Sequence, residues 1–303
     1  MRPLIHIGYH KTGTTWLQKR VFVKEGAGFS FVAGPRRLLE QFYPSNPFGF
    51  DAGAARESLE SEIDEAEAQG LVPVLSHERL SGSPYAGGYD SRTTADRLAA
   101  AFPEARILVS TREQKGMILS IYKQYVRWGG AATLEQFLSP PSGVHRAPVF
   151  RHGFYEYHHL IGYYSRLFGE ENVLAIPYEL LENRPGEYLG SICNFLGLPA
   201  IEPPSSRANV SPSSLSLSVK RQANRLFIRD ALNPAPPFER QNANRNLLLK
   251  IRKLDDIVSP GLLKKYEGRW RKKIERWAGD RYSESNRITA ELMGFDLQAL
   301  GYS

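Results

Sequence analysis

LIHIGYHKTGTTWLQKRVF (residues 4–22) is the stretch from which the rest of the chain is read. LIHIG is a short apolar run rich in Ile, the mark of a buried strand; a Gly/Thr-rich turn follows, and WLQKRVF has helical character. The order is strand, loop, helix. Gly8 and Gly13 let the chain curl, Thr14 and Thr15 offer hydroxyls at the helix start, and Lys11 adds a mobile positive charge. Backbone N–H groups and a helix dipole in that setting hold phosphate. Gly8 and Gly13 have the separation of the nucleotide-triphosphatase loop G-x-x-x-x-G-K-[ST], but Thr14 occupies the position of the lysine, and Lys11 lies inside the loop. The Rossmann G-x-G-x-x-G is absent. A tight strand-to-helix turn with no ligand is the plainer reading of the same residues.

The same grammar repeats down the chain. AARESLESEIDEAEAQ (54–69) is rich in helix formers and ends at Gly70, and LVPVLS (71–76) then reads as a second buried strand. ADRLAAAF (95–102) is helical and stops at Pro103; RILVS (106–110) is a third strand that leads into Thr111, Arg112 and a further helix. YEYHHLIGYYSRLFG (155–169) precedes the strand NVLAIPY (172–178), and PGEYLGSICNFLGL (185–198) begins with Pro near its first turn. Helices alternating with nearly continuous apolar strands predict a parallel sheet covered on both faces, joined by right-handed crossovers, with ligands at the strands' carboxyl ends. From Glu202 the pattern breaks into a Pro/Ser/Asn loop. We therefore expect an α/β core over 1–201 and a C-terminal helical, basic extension of the same domain over 202–303.

Length and composition agree with this. At 303 residues, 42% hydrophobic and 23% charged, the chain can bury a sizeable core and is not fibrous or disordered. The single cysteine, Cys193, excludes an intramolecular disulfide and a Cys-based zinc cluster, and a reducing cytoplasm is the expected setting. Gly, His and Lys interrupt the opening residues where a signal peptide needs an apolar run, and no stretch is long enough to be a transmembrane segment. The net charge of +7 is concentrated between Val219 and Arg276, where sixteen basic residues face six acidic ones. Anionic ligands are favoured there, although a solvated helical face is the alternative; apolar runs such as LLLKI (247–251) argue against a nucleic-acid-binding arm.

HKTGTTW (10–16) resembles the phosphosulfate-binding loop of the sulfotransferase family, whose donor is 3′-phosphoadenosine-5′-phosphosulfate. The resemblance implies an α/β, P-loop NTPase-like three-layer αβα fold with a central parallel sheet. It also implies donor binding by His10, Lys11, Thr12, Gly13, Thr14 and Thr15, with Trp16 stacked on adenine or, alternatively, packed in the core. A second family element, Arg followed eight positions later by Ser and holding the donor's 3′-phosphate, is matched by Arg112 and Ser120 in ILVSTREQKGMILSIY (107–122). VLAIPYELLENRPGEYLGSICNFLGL (173–198) is similar to the family's strand, Tyr-Glu turn and Phe-Leu-Gly helix, which implies an adenine contact for Tyr178 or else a tyrosine capping the sheet edge. RANVSPSS (207–214) and SNRITAELMGFDLQALGY (285–302) look like segments of bacterial members, and Arg207, or Lys220 with Arg221, is expected to help bind the 3′-phosphate.

The reaction implied is in-line, metal-independent sulfonyl transfer to a hydroxyl or amine, yielding adenosine 3′,5′-bisphosphate. It needs stabilisation of charge, assigned to Lys11, and a base. SHERLSG (76–82) places His77 and Glu78 at a strand's carboxyl end. His77 has the better unperturbed pKa; Glu78 matches the glutamate that bacterial relatives present here; a Glu78–Arg79 salt bridge is the structural alternative. The acceptor is a small molecule, carbohydrate, lipid or peptide. A P-loop kinase and a non-catalytic nucleotide-binding protein stand as the competing readings.

Overall fold

The computed structural model describes residues 2–43, 46–140, 149–204, 212–238 and 255–303. Five strands, β1 (Leu4–His6), β2 (Phe29–Ala33), β3 (Val72–Ser76), β4 (Arg106–Thr111) and β5 (Val173–Pro177), form one sheet in the order β2-β3-β1-β4-β5. All pairings are parallel, and Ile5 sits in register between Leu75 and Ile107. The apolar runs of β1, β3 and β4 are central because side chains of both parities are buried: Leu4, Val74 and Leu108 point to one face, Ile5, Leu75 and Ile107 to the other. The chain leaves β1 toward β2 and β3 on one side, then crosses to β4 and β5 on the other. The order therefore reverses beside β1, the switch point at which ligands bind outside the carboxyl ends of the strands in sheets of this kind.

Helices cover both faces. On one lies α1 (Thr14–Trp16), continued by a π-helical turn over Leu17–Val21 in which the Phe22 amide donates to the Leu17 carbonyl (2.9 Å). It shares a smaller core with Leu4, Val74 and Leu108 and with Tyr188, Leu189 and Ile192 of a helix over Pro185–Leu196. The other face carries the larger core. Helices α2 (Pro35–Phe42), α3 (Ala52–Ala68), α4 (Ser91–Ala101), α5 (Gln114–Trp128), α6 (Leu134–Leu138) and α7 (Tyr157–Phe168) all contribute buried side chains to it. Their ends follow local chemistry: the Asp51 carboxylate accepts the Ala54 amide at the start of α3, and Glu113 accepts the Lys115 and Gly116 amides at the start of α5. After β5 come α8 (Tyr178–Asn183) and α9 (Pro185–Leu196), and then α10 (Ser214–Phe227), α11 (Pro260–Ala278) and α12 (Ser283–Met293). Trp270, Ile274 and Tyr302 from this last region belong to the same buried cluster as Ile5 and Ile107.

The observed architecture is the α/β, three-layer arrangement read from the sequence, with two differences. β2 was not expected: FSFVA is a five-residue segment at the sheet edge, interrupted by Ser30 and only half-buried through its middle three residues, without the longer apolar run that marks the inner strands. The helix expected through residue 22 is α-helical only over Thr14–Trp16, and its π-helical continuation is accompanied by the Gln18 amide donating to the Ser76 carbonyl (2.8 Å). No described helix is long and apolar enough to cross a membrane.

Candidate functional site

The segment after β1 keeps contact with β4, since the Ile7 and Tyr9 amides donate to the Leu108 and Ser110 carbonyls (3.0 Å each), and then curls. Lys11 has φ +68°, the one described non-glycine residue in the left-handed region, and Gly13 has φ +87°. A left-handed Lys is held against an intrinsic preference of about 1–2 kcal/mol, so its neighbours must hold it there. Thr12, fully buried, donates its hydroxyl to the Tyr9 carbonyl (2.5 Å) and closes the curl from inside. A Cβ at Gly13 would lie 2.5 Å from Leu181 and 3.6 Å from the Tyr178 ring, so the loop passes close over the start of α8. Among the described residues the Lys11 and Gly13 amides make no backbone hydrogen bond, and those of Thr14 and Thr15 lie in a first helical turn that offers them no acceptor. The Thr14 hydroxyl is buried without a partner; Thr15 is exposed. Trp16 is half-buried against the smaller core.

From the far side of β1, Arg112 reaches the same loop. Its guanidinium donates to the Lys11 carbonyl (3.1 Å) and lies 4.7 Å from the centroid of the Tyr178 ring. Those contacts join residues 101 positions apart and help explain how Lys11 keeps its backbone conformation. The Tyr157 hydroxyl fixes the Arg112 carbonyl (2.6 Å). Ser120 shares a face of α5 with Gly116 and Arg127 by helical spacing, and the Arg112 Nε lies 3.8 Å from where a Gly116 Cβ would be. Arg112, Tyr178 and the loop are therefore neighbours, with Ser120 one helical turn beyond Gly116. Arg207 lies outside the described residues. Lys220 is buried in α10 with its ammonium donating to Asn224 (3.2 Å), whose own amide holds the Val126 and Gly130 carbonyls at the end of α5. Arg221 donates to the Ala131 carbonyl (3.4 Å).

At the end of β3 the two base candidates part company. His77 Nδ1 accepts the Arg79 amide (2.9 Å), capping a short turn over Glu78–Ser81, and burial, with Arg79, holds the ring below its usual pKa. Glu78 is half-exposed and lies within electrostatic reach of Lys11 and Tyr85. Arg79 does not pair with Glu78. It makes its ion pair with Asp90 and stacks 4.8 Å over Tyr43, so the Glu78–Arg79 salt bridge considered from the sequence is not formed. The Lys11 ammonium is pushed below its usual pKa, first by burial, then by Arg127 and Arg112, with Glu78 opposing. His10 is buried against Tyr85 (ring centroids 6.5 Å) and lowered to about 3 by burial and then by His77, Arg79 and Lys11, so it is neutral at physiological pH.

Sequence reasoning missed three contributors. Arg127 becomes visible only once α5 is faced, seven residues beyond Ser120. Tyr85 sits in an irregular loop with no periodicity. Tyr302 closes the back of the site: its hydroxyl bonds the Thr111 hydroxyl (3.1 Å) and the Glu179 carboxylate (3.0 Å), while Glu179 also accepts the Glu113 amide (3.0 Å). A separate cavity of about 600 Å³ lies beside α7, lined by Tyr9, Gly88, Ser91, Phe154 and Tyr163; Lys11, Glu78 and Arg112 do not line it. Among the described residues no group of three or more His, Cys, Asp or Glu could hold a metal ion.

A family model described as the sulfotransferase family matches residues 36–203, more than half of the chain, including Glu78, Arg112, Ser120 and Tyr178; the loop at 8–16 precedes the match. Among solved structures the chain resembles a sulfotransferase from Alicyclobacillus acidocaldarius (18% identity, 74% of this chain and 93% of that one, TM-score 0.48). It also resembles the sulfotransferase domain of the Synechococcus PCC 7002 olefin synthase (13% identity, 86% and 96%, TM-score 0.41). A sulfotransferase domain from the curacin biosynthetic pathway is similar too (16% identity, 84% and 97%, TM-score 0.40). No curated protein matches the chain.

Proposed function

The chain belongs to the sulfotransferase family, and from that premise we propose that it transfers a sulfonyl group from 3′-phosphoadenosine-5′-phosphosulfate to a hydroxyl or amine acceptor. The observation that carries the reading is the junction of Arg112 with the Lys11 carbonyl and the Tyr178 ring, which sets a guanidinium, an aromatic face and a curled anion loop side by side. The residues present suit such a donor: a buried, unpartnered Thr14 hydroxyl, unengaged loop amides and a Lys11 ammonium beside the loop are groups that hold an oxyanion.

In this reading Lys11, Gly13, Thr14 and Thr15 hold the phosphosulfate end, with His10 and Thr12 shaping the loop around it. Arg112 and Ser120, with Arg207 as a further candidate, hold the 3′-phosphate. Tyr178 offers its ring to the adenine, and Trp16 remains a second candidate for that contact. The donor supplies an activated sulfonate. Lys11 places positive charge where the departing oxygen becomes negative, a contribution of the kind worth about 10²–10³ in rate. Glu78 removes the acceptor's proton; its access to Lys11 and Tyr85 favours it over His77, whose Nδ1 is engaged by the Arg79 amide. We place the reaction in the cytoplasm and treat residues 202–303 as an extension of the core domain, a division supported by the shared burial of Trp270 and Tyr302.

The test is a titration of the purified chain with adenosine 3′,5′-bisphosphate and with ATP plus Mg²⁺. Tight binding of the bisphosphate without magnesium is expected. A preference for ATP with Mg²⁺ would overturn the proposal in favour of a kinase.

A further inference from the structure

Arg127, on the last turn of α5, is half-buried, and its Nε is shielded from solvent without a hydrogen-bond partner. It makes no ion pair among the described residues. A guanidinium is always charged, and one held partly out of water without a counter-charge is destabilising unless something else supplies it. Close by, the Tyr85 hydroxyl is also buried and unpartnered. The Tyr85 ring lies 5.2 Å from Trp128 and 6.5 Å from His10, so it stands between the end of α5 and the donor loop. Two unsatisfied donors thus converge on the side of the site occupied by Glu78. Lys11 and Tyr85 both lie within electrostatic reach of Arg127 and of Glu78, leaving more positive than negative charge around the acceptor side.

We infer that Arg127 and Tyr85 form a subsite for an oxyanion carried by the acceptor itself, so that the preferred acceptor is a hydroxyl or amine compound bearing a carboxylate, phosphate or sulfate. The inference rests on the sulfotransferase reading above and narrows its acceptor class. The donor is not the natural owner of this subsite. Arg127 lies seven residues beyond Ser120, about 10 Å along the helix axis, away from the Arg112 end. Tyr85, within electrostatic reach of Arg127, follows β3, as does Glu78, whereas the proposed 3′-phosphate residues lie after β4. A planar guanidinium fork and a phenolic donor suit a carboxylate or phosphate better than a neutral hydroxyl.

The experiment uses the full chain saturated with adenosine 3′,5′-bisphosphate and titrated with matched pairs: glucose and glucuronate, phenol and 4-hydroxybenzoate, glycerol and glycerol 3-phosphate. Turnover with the sulfated donor is followed in parallel. At least one anionic compound should exceed its neutral twin by about tenfold or more in affinity or kcat/KM, the size of one charged contact. Arg127→Gln should reduce that preference to within about twofold while changing bisphosphate affinity by a smaller factor, and Tyr85→Phe should reduce it several-fold. If Arg127→Gln does not fold, Tyr85→Phe decides the matter. The inference is overturned if no anionic compound is preferred by the wild type, or if Arg127→Gln weakens the bisphosphate as much as the anionic acceptor. A wild type that binds no bisphosphate refutes instead the donor assignment beneath it.

Discussion

Replacing Arg112 by Ala removes three things of different kinds, and their separation makes the substitution informative. The hydrogen bond to the Lys11 carbonyl at 3.1 Å and the stack on Tyr178 at 4.7 Å exist without any ligand. A charged hydrogen bond contributes about 1.5–3 kcal/mol and an exposed cation–π contact about 0.5–1 kcal/mol; with Arg112 half-buried, a loss of about 2 kcal/mol in unfolding free energy is expected. Relaxation of the loop also weakens every nucleotide to a similar degree. The third loss, the contact to the 3′-phosphate, falls only on a ligand that carries that group, and is worth a further ~2–3 kcal/mol, or about 30–150-fold in Kd. Calorimetric titration of wild type and Arg112→Ala with adenosine 3′,5′-bisphosphate and with adenosine 5′-phosphate closes a cycle from which the specific part is read directly. The wild-type preference for the bisphosphate should shrink by that factor. Equal weakening of both nucleotides would refute the assignment and leave Arg112 as a brace for the loop alone.

Glu78→Gln should lower kcat about 10²–10⁴-fold with bisphosphate affinity nearly intact, measured by steady-state turnover beside calorimetry; unchanged turnover would pass the role to His77 or to water. Tyr302→Phe removes the hydroxyl shared by Glu179 and Thr111 and should destabilise the fold by about 1–3 kcal/mol in urea unfolding, as a half-buried carboxylate loses a donor. His6 is fully buried, bonded through Nδ1 to Ser76 (2.8 Å), and lowered to about 3 from an ordinary 6.5 by burial first. The unfolded chain therefore binds a proton that the folded chain refuses, and stability falls as pH drops from about 6.5 toward 3. Between pH 7 and pH 5 His6 alone should account for ~2 kcal/mol of that loss, seen as a steeper acid limb in unfolding midpoints than in a His6→Asn variant.

The inner strands were legible because burial on both faces leaves a continuous apolar run: LVPVLS and RILVS need no partner to be recognised. FSFVA was not legible, because Ser30 interrupts its apolar residues, whereas NVLAIPY at the opposite edge was read from its nearly continuous apolar run. At the site, the loop could be read from its context between a strand and a helix, and Arg112 from its position at a strand end. The different settings of His77 and Glu78 depend on the Arg79 amide turning back onto the imidazole, which no spacing reveals. Arg127 and Tyr85 depend on which way α5 faces and on how an irregular loop folds over it, and Tyr302 reaches Thr111 across 191 positions. Tertiary contact of this kind leaves no local imprint.

The bond between Arg112 and the Lys11 carbonyl also bears on the order in which the molecule can assemble. It spans the first and fourth strands, so the curled loop cannot take its final form until the sheet has been built across its middle, after the slow non-local closures are complete. A nucleotide gripping both groups would reward only the finished sheet and stabilise it in proportion to the logarithm of its concentration over Kd. Partly folded chains would remain blind to the ligand, and nucleotide affinity becomes a gauge of how much of a preparation has completed folding.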